Sequence, residues 1–537
     1  MTVICSNRVF AATLSLALAT ATATATTAIA ATPNDQLVIG TSLAQVLSLD
    51  PQQATEVKTQ EILANTYDRL VFADQKDGNK IKPQLAESWQ VDDKGITFKL
   101  KDATFSSGNP VTSKDVVFSI VRLLKLDQSA ATNYKTAGYT AANIESLVSA
   151  PDDKTFRIEL TDKVIPEALL YRLAMGVSSV VDSVEVEKHV NNNDYGNEWL
   201  RTKTAGSGPY VLRRWTPNDI VLLEANDEYR DGKPTMRRIV MRHVPESQAA
   251  RLMLERGDID IASALTAADV KTFETNTSFV IDKVKTGGYY VLAMNAGTEP
   301  FSKPGVREAI AYGIDYKGIA NTILGSYGRV RNVPVPEDWA GAIANPDWSF
   351  QPEKAKKLLA DAGYPDGFTV TLKTISQTPR VDMATAIQAN LADIGIKVNI
   401  QQGNGADIVA AHRARNFDLL IPQTGSFMPT ALGSLDNFAS NPNNSKEANN
   451  AGNFVWRSAW DIPELNALRE QANSERDDAK RMELIKQIQE KFIALKPAVL
   501  PMFERFEPIV LSSRLKGYSG HPWSLTRIEG VTKSDAP

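Results

Sequence analysis

The sequence predicts an α/β protein with a large packed core, and three observations carry that expectation. A strand–helix–strand run lies between Gln351 and Ile400, a hairpin lies between Tyr210 and Ala225, and 43% of the 537 residues are hydrophobic. In the first run Pro352 sits at a helix start, Ala355, Leu358, Leu359 and Ala362 recur at helical spacing, and Gly363 supplies a left-handed stop. The period then changes to two at Phe368, Val370 and Leu372. It returns to helical spacing at Met383, Ile387 and Leu391, stops at Gly395, and alternates again at Ile396, Val398 and Ile400. Strand, helix and strand with short joins form a βαβ unit, which requires parallel strands and a right-handed crossover.

The hairpin is announced by turn chemistry. Gly206, Gly208 and Pro209 punctuate the chain, Tyr210, Leu212 and Arg214 alternate with Val211, Arg213 and Trp215, and the turn TPND leads into the apolar run IVLLEA. RRIVMRHV then reads as a third strand, SQAARLMLERG as a helix closed by Gly257, and DIDIAS as a short strand. Asp315 is placed to cap a helix carrying Ile319 and Ile323 and ending at Gly325. Asp477 or Asp478 precedes a long amphipathic segment with Met482, Ile485, Ile488, Phe492 and Leu495 on one side. The asparagine-rich run from Asn441 to Asn453 reads as an exposed loop.

Residues 1–30 differ in kind from the rest. Arg8 is their one charge, a threonine-diluted apolar run follows, and Ala28, Ile29 and Ala30 form an A-x-A site, the pattern of a cleaved secretory signal peptide. Cys5, the one cysteine, would leave with it, so neither a disulfide framework nor a lipid anchor is expected. Loss of Arg8 takes the formal net charge from −4 to −5, mild acidity with no electrostatic footprint for nucleic acid. No motif recurs at a fixed spacing, which argues against a solenoid or propeller.

These segments together resemble the extracellular solute-binding proteins that serve peptide, opine and nickel ABC importers, the family 5, oligopeptide/dipeptide-binding type. The resemblance rests on GSGPYVLRRW, NDEYRDGKP, RRIVMRHVP and RLMLERGDIDIA, with LAESWQVDDKGITFKLKDATFSSGNPVTSKDVVFSI, VREAIAYGIDYKGI, PEKAKKLLADAGYPDGF and LADIGIKVNI, and extends from about Asp50 to Gly517. It implies a periplasmic binding protein type II-like fold: two α/β lobes with a hinge plus an extra inserted domain. By that analogy residues 31–75, 200–288 and 505–537 form lobe I, 76–199 the inserted domain, and 289–504 the opposing lobe. The GSGPY turn would return the chain from the insertion to lobe I, and Gly206, Gly208 and Trp215 read as structural.

The resemblance also implies a periplasmic receptor, monomeric and without cofactor or bound metal, which captures a peptide or small solute by lobe closure and hands it to a membrane permease with ATPase subunits in other chains. Absence of a lipid anchor points to a Gram-negative periplasm. One side of the cleft would come from GTSLAQVLSLDP, with Ser42 and Leu43, and the other from the stretch Leu419–Leu435, with Gln423, Thr424, Ser426 and Phe427 as candidates. Many peptide binders of the family place an aspartate there against the ligand's α-amine. Here no charged residue lies between Asp418 and Asp436. Burying an ammonium without a carboxylate costs several kcal/mol, roughly, so a neutral, amide-rich, oligosaccharide or opine-like solute competes with ordinary peptides as the expected ligand. Arg413 and Arg415 are candidates for a ligand carboxylate or for a solvated face. Tyr289, Tyr290 and Asn295 lie in a strand expected at the hinge, and Trp456 and Trp460 form either an aromatic wall or a buried pair.

A secreted hydrolase is the alternative of a different class. H-E-x-x-H, G-x-S-x-G and G-x-x-x-x-G-K-[ST] are all absent from the sequence. His189, His243, His412 and His521 show no ligand-like spacing, which leaves a metal site only to residues distant in sequence.

Overall fold

The computed structural model describes residues 32–425, 430–521 and 525–534. The chain opens with β1 (Gln36–Thr41), followed by the helix Val57–Thr66 and the antiparallel pair β2 (Val71–Asp74) and β3 (Lys80–Pro83). A separate four-stranded antiparallel sheet follows, built from β4 (Ala86–Val91), β5 (Gly95–Leu100), β6 (Val148–Asp152) and β7 (Thr155–Glu159) in the order β4-β5-β7-β6. The helix Ser113–Leu126 covers it, its Val116, Ile120, Leu123 and Leu124 sharing one core with Ile96, Phe98, Phe156 and Ile158. Thr112 and Asp115 form the capping box that starts this helix.

The predicted hairpin is β8 (Tyr210–Thr216) and β9 (Ile220–Ala225), extended by β10 (Arg238–His243) and followed by β11 (Ile261–Ala262). Then come β12 (Phe279–Met294), β13 (Gly328–Val330), β14 (Phe368–Ile375), β15 (Ile396–Gly403), β16 (Leu419–Leu420) and β17 (Val499–Ser512). They join one sheet in the order β15-β14-β16-β12-β17-β11-β1-β10-β9-β8, with β13 paired to β17. At one end β1 runs parallel to β10 and β11, and at the other β14 runs parallel to β15 and β16. These are two α/β lobes. Leu37, Ile39, Val221 and Met241 belong to the core of the first, and Leu292, Leu372, Ile387 and Ile396 to that of the second.

The lobes are joined by the antiparallel ribbon of β12 and β17. Its ladder pairs Phe279–Lys285 with Phe506–Ser512, is interrupted at residues 286–288, and resumes with Tyr289 opposite Glu504 and Tyr290 opposite Phe503. Glycine is required at the interruption: Gly287 has a φ of 66°, and a Cβ on Gly288 would lie 2.3 Å from the Thr424 carbonyl oxygen.

Gly208 solves a packing problem. A Cβ there would sit 2.5 Å from the carbonyl carbon of Thr66 and 2.7 Å from the Tyr67 nitrogen, because the turn runs against the end of the helix Val57–Thr66. The four-stranded unit is tied to the segment after β1 by a sequestered ion pair. Arg122 donates to the two carboxylate oxygens of Asp50 at 2.7 and 2.5 Å, to Gln52 Oε1 at 2.6 Å and to the Tyr195 carbonyl at 2.7 Å. Both charged side chains are fully buried.

Elsewhere the predicted caps hold: Asp315 accepts from Gly318 N and Asp477 from Lys480 N, each at 2.9 Å. The helix after Asp315 is short, Tyr316–Ile319, and continues as a π-helical turn to Leu324 before Gly325. The asparagine-rich run holds no regular element before its helix cap at Asn453 and is exposed over much of its length, yet it is more than a solvated loop. Asn441 is buried and donates to the Trp460 carbonyl at 2.9 Å, while the Asn444 carbonyl accepts from Arg415. Trp456 and Trp460 are both buried, and only the first lies on a helix. The signal-peptide segment and the candidates Ser426 and Phe427 lie outside the described residues.

Candidate functional site

In open α/β sheets a ligand sits in the crevice beyond the carboxyl ends of parallel strands. In the first lobe the ends of β1 and β11 bring Ser42 and Leu43 beside Ser263, whose hydroxyl donates to Thr41 Oγ1 at 2.8 Å. Ser42 is half-buried, whereas Leu43 is core and its backbone N–H donates to His243 Nδ1 at 2.9 Å. In the second lobe β16 ends into Ile421–Gly425 and β14 into the loop before the helix Arg380–Ala392. Gln423 is exposed here and its backbone bridges Tyr290. Thr424 is buried and exchanges hydrogen bonds with the Tyr289 backbone, at 3.0 Å through its hydroxyl and 2.9 Å through its N–H.

The remaining sequence candidates lie on or directly after β12 and just before β16. Tyr289 is fully buried with its ring edge-on to Phe438 at 5.2 Å, and burial pushes its phenol well above the usual value. Asn295 spends its amide protons on the Arg415 and Phe417 carbonyls at 3.1 and 3.0 Å, fixing the approach to β16. Arg413 is exposed. Arg415, with a φ of 56°, lies 3.9 Å above the Trp456 ring.

The pleat of the ribbon assembles charged groups that lie far apart in sequence. Side chains alternate along β17, so Phe503, Arg505 and Glu507 share a face with Tyr290, whereas Glu504 and Phe506 share the other with Tyr289 and Lys285. On the second face every charge is answered: Arg329 pairs with Glu504, Glu337 and Asp338 at 2.8 Å each, and Lys285 with Asp338 at 2.6 Å. The first face is different. Arg505 forms no side-chain hydrogen bond or ion pair among the described residues, and its Nε is buried without a partner. Arg380, buried at the start of its helix, has a single side-chain bond to neutral Gln377 Oε1 at 3.0 Å. Burial draws its guanidinium below the ordinary arginine value, Tyr290 opposes, and the like charge of Arg505 adds to the lowering. Tyr290, raised by burial, feels both guanidiniums and Glu507.

The first lobe brings a helix to this face. Lys58 and Glu61 pair at 3.0 Å on Val57–Thr66, which the C-terminal segment anchors through Asn65: Ile528 N donates to its Oδ1 at 3.0 Å. Gly520 N of the same segment donates to Asp282 on β12 at 2.7 Å. Burial works against the Lys58 ammonium, but Glu61 and Glu507 outweigh it and hold it above the ordinary lysine value. Tyr518, raised by burial, lies in the fields of Glu61, Asp282 and Glu507. At the junction between the lobes Lys58 is paired with Glu61, whereas among the described residues Arg380 and Arg505 form no ion pair, Glu507 sharing the ribbon face with Arg505.

Lys58, Glu61, Arg380, Arg505 and Glu507 fall outside the candidates read from the sequence. The available signal was the alternation in FERFEP, where acids and an arginine interrupt a strand otherwise buried. An opening 1280 Å³ in volume separates the four-stranded unit from the second lobe, with Asp92, Glu167, Arg172, Arg469 and Arg481 on its walls. Arg481 crosses it to Glu167 at 2.8 Å. No residue of the ribbon lines it, so it is distinct from the junction. Among the described residues no group of three or more His, Cys, Asp or Glu side chains is placed to hold a metal ion, and no helix is long and apolar enough to cross a membrane.

The chain is 29% identical over 501 residues to the probable D,D-dipeptide-binding periplasmic protein DdpA of Escherichia coli (strain K12), covering 92% of this chain and 93% of that one. Among solved structures it is similar to the periplasmic binding protein DppA from Helicobacter pylori in complex with peptide STSA (25% identity, TM-score 0.71, covering 93% of this chain and 98% of that one). It is also similar to the binding protein MoaA from A. tumefaciens R10 in complex with mannopinic acid (26% identity, TM-score 0.70, covering 93% and 99%). The model of the bacterial extracellular solute-binding proteins, family 5 (Middle), matches residues 80–446, and with both lobes and their ribbon in place the chain belongs to that family.

Proposed function

We propose that this protein is the periplasmic receptor of an ABC importer for a small carboxylate-bearing solute, peptide-like or opine-like. It acts as a monomer after removal of its N-terminal segment, and it delivers the solute to a membrane permease energised by ATPase subunits. One observation carries the ligand class: among the described residues neither Arg380 nor Arg505 at the lobe junction forms an ion pair with a carboxylate. Holding the buried Arg380 guanidinium and the buried Arg505 Nε without counter-charge is costly, and a ligand carboxylate received by their planar donors relieves that cost. The solute bridges β17 and the second-lobe helix, so its binding favours closure over the open form. The relative named as a probable D,D-dipeptide-binding protein and the one complexed with mannopinic acid both accord with a carboxylate ligand.

A thermal-shift screen of peptides, opines, oligosaccharides and metal ions tests the receptor role, since a solute bound by the native state alone raises its stability by mass action. No stabilising compound across the screen refutes it. Arg380→Gln then tests the carboxylate contact. Affinity for the best hit should fall at least tenfold, while the unliganded protein stays as stable as wild type or gains, because a buried charge without a carboxylate partner has been removed. Undiminished affinity removes Arg380 from the site.

A further inference from the structure

In the first lobe β1 ends on a side chain. The parallel register sets Thr41 of β1 beside His243 of β10, and the last ladder bond runs from Val244 N to the Thr41 carbonyl at 2.8 Å. Beyond it the chain leaves the sheet, and the next donor, Leu43 N, turns to His243 Nδ1 at 2.9 Å. Leu43 is held in two other ways: its side chain is buried in the first-lobe core, and its carbonyl accepts from Val46 N at 3.0 Å, closing a turn. With those fixed, the imidazole bond sets the remaining freedom, the plane of the peptide between Ser42 and Leu43. That plane aims Ser42, whose half-buried hydroxyl forms no hydrogen bond among the described residues and lies at the carboxyl end of β1, where a solute is expected.

A ring nitrogen accepts an N–H only while it carries no proton, so this bond exists only in the neutral imidazole with its hydrogen on Nε2. A second proton turns Nδ1 into a donor facing the donor Leu43 N, and the bond is lost. Among the described residues His243 forms no ion pair, and no acid of the elements around it takes the place of that bond. β1 and residues 42–49 carry no charged side chain. Asp219, just before β9, offers His243 N its carbonyl at 2.9 Å, and its carboxylate pairs with Arg214 at 3.4 Å. Arg242 projects from the opposite face of β10, and Glu246 stands exposed at the cap of the helix Ser247–Arg256.

We propose that His243 is a positioning residue of the solute crevice: through the Leu43 N–H it aims Ser42 at the solute, and its protonation undoes that aim, so that a solute held near neutral pH is released as the pH falls. The assignment rests on the receptor reading above and adds a proton-sensitive wall to it.

The test uses the full chain at pH 7.5 and pH 5, with circular dichroism confirming the folded state at both. Hydrogen exchange of the Leu43 amide, corrected for its intrinsic rate, reads the contact; isothermal titration with D-alanyl-D-alanine and with mannopinic acid reads its consequence. In wild type both the Leu43 protection and the affinity should fall at least about threefold at pH 5, the loss of one hydrogen bond. His243→Asn, which keeps an acceptor near the Nδ1 position and takes up no proton, should match wild type at pH 7.5 and remove most of the difference between the two pH values. His243→Leu should show the low-pH behaviour at both. Equal Leu43 protection at the two pH values in wild type overturns the proposal, as does a loss of affinity in His243→Asn as large as in wild type. If the Leu43 amide responds as stated while neither solute binds at either pH, the solute reading above fails and the affinity claim falls with it, leaving His243 as a contact of the fold alone.

Discussion

Replacing Arg122 by methionine isolates the tie that holds the four-stranded unit to the first lobe. The substitution keeps much of the side-chain volume and removes the guanidinium. Asp50 then loses two charge-assisted hydrogen bonds and keeps only neutral donors, Asn197 Nδ2 at 2.6 Å and Gln52 N at 3.0 Å. Gln52 Oε1 and the Tyr195 carbonyl lose theirs as well. An uncompensated buried charge of this kind costs about 3–5 kcal/mol. In Asp50→Asn/Arg122→Met no charge remains at the site, and at least about 2 kcal/mol of that cost should return. Urea unfolding followed by tryptophan fluorescence and far-UV circular dichroism reads both values. A single variant within about 1 kcal/mol of wild type, or a double variant as costly as the two singles added, would refute the account of Asp50 and Arg122 as one coupled unit.

Three further predictions follow from named contacts. Gly208→Ala should destabilise by about 1–3 kcal/mol because its Cβ meets backbone of Thr66 and Tyr67, while Gly452→Ala, whose Cβ meets nothing within 4 Å, should stay within about 0.5 kcal/mol; denaturant midpoints decide between them. His412, packed between Phe417 and Phe454, is drawn down to about 3 by burial and then by Arg457. Its folded value lies below the unfolded value of about 6.5, so its contribution is full above pH 6.5 and is lost as pH falls toward 3; at pH 5 about 2 kcal/mol is gone, and His412→Phe should flatten the decline between pH 7 and pH 5 by that amount. Glu167→Gln breaks the pair with Arg481 across the 1280 Å³ opening. Glu167 is half-exposed, so the loss should stay below about 1 kcal/mol, seen as a wider average shape by small-angle scattering at unchanged melting temperature.

The sequence made the lobes legible where periodicity was local. The strand–helix–strand run, the hairpin and the caps at Asp315 and Asp477 all depend on neighbours a few residues apart, and each is present. The junction was not legible for the opposite reason. Arg380, Arg505 and Lys58 belong to three segments separated by more than a hundred residues each, two helices and β17, so no local pattern links them. Asn295 and Tyr289 drew attention as polar residues of a hinge strand, yet that strand is central in its sheet, and their polar atoms face the packing around them. The asparagine run misled through composition. Asparagine favours loops, but the same amides satisfy buried backbone carbonyls near Trp460.

The two lobes share one sheet across the interrupted β12–β17 ladder, so lobe closure of the kind proposed would be a change of twist along that ribbon and not a swivel about slack loops. Such a ribbon acts as a torsional spring whose resting angle is written in its pairing and in the kink at Gly287 and Gly288. On the proposed receptor reading, part of a solute's binding energy would go into winding that spring. Substitutions in the kink should therefore retune affinity for every solute by a common factor, leaving the order of preference among them untouched.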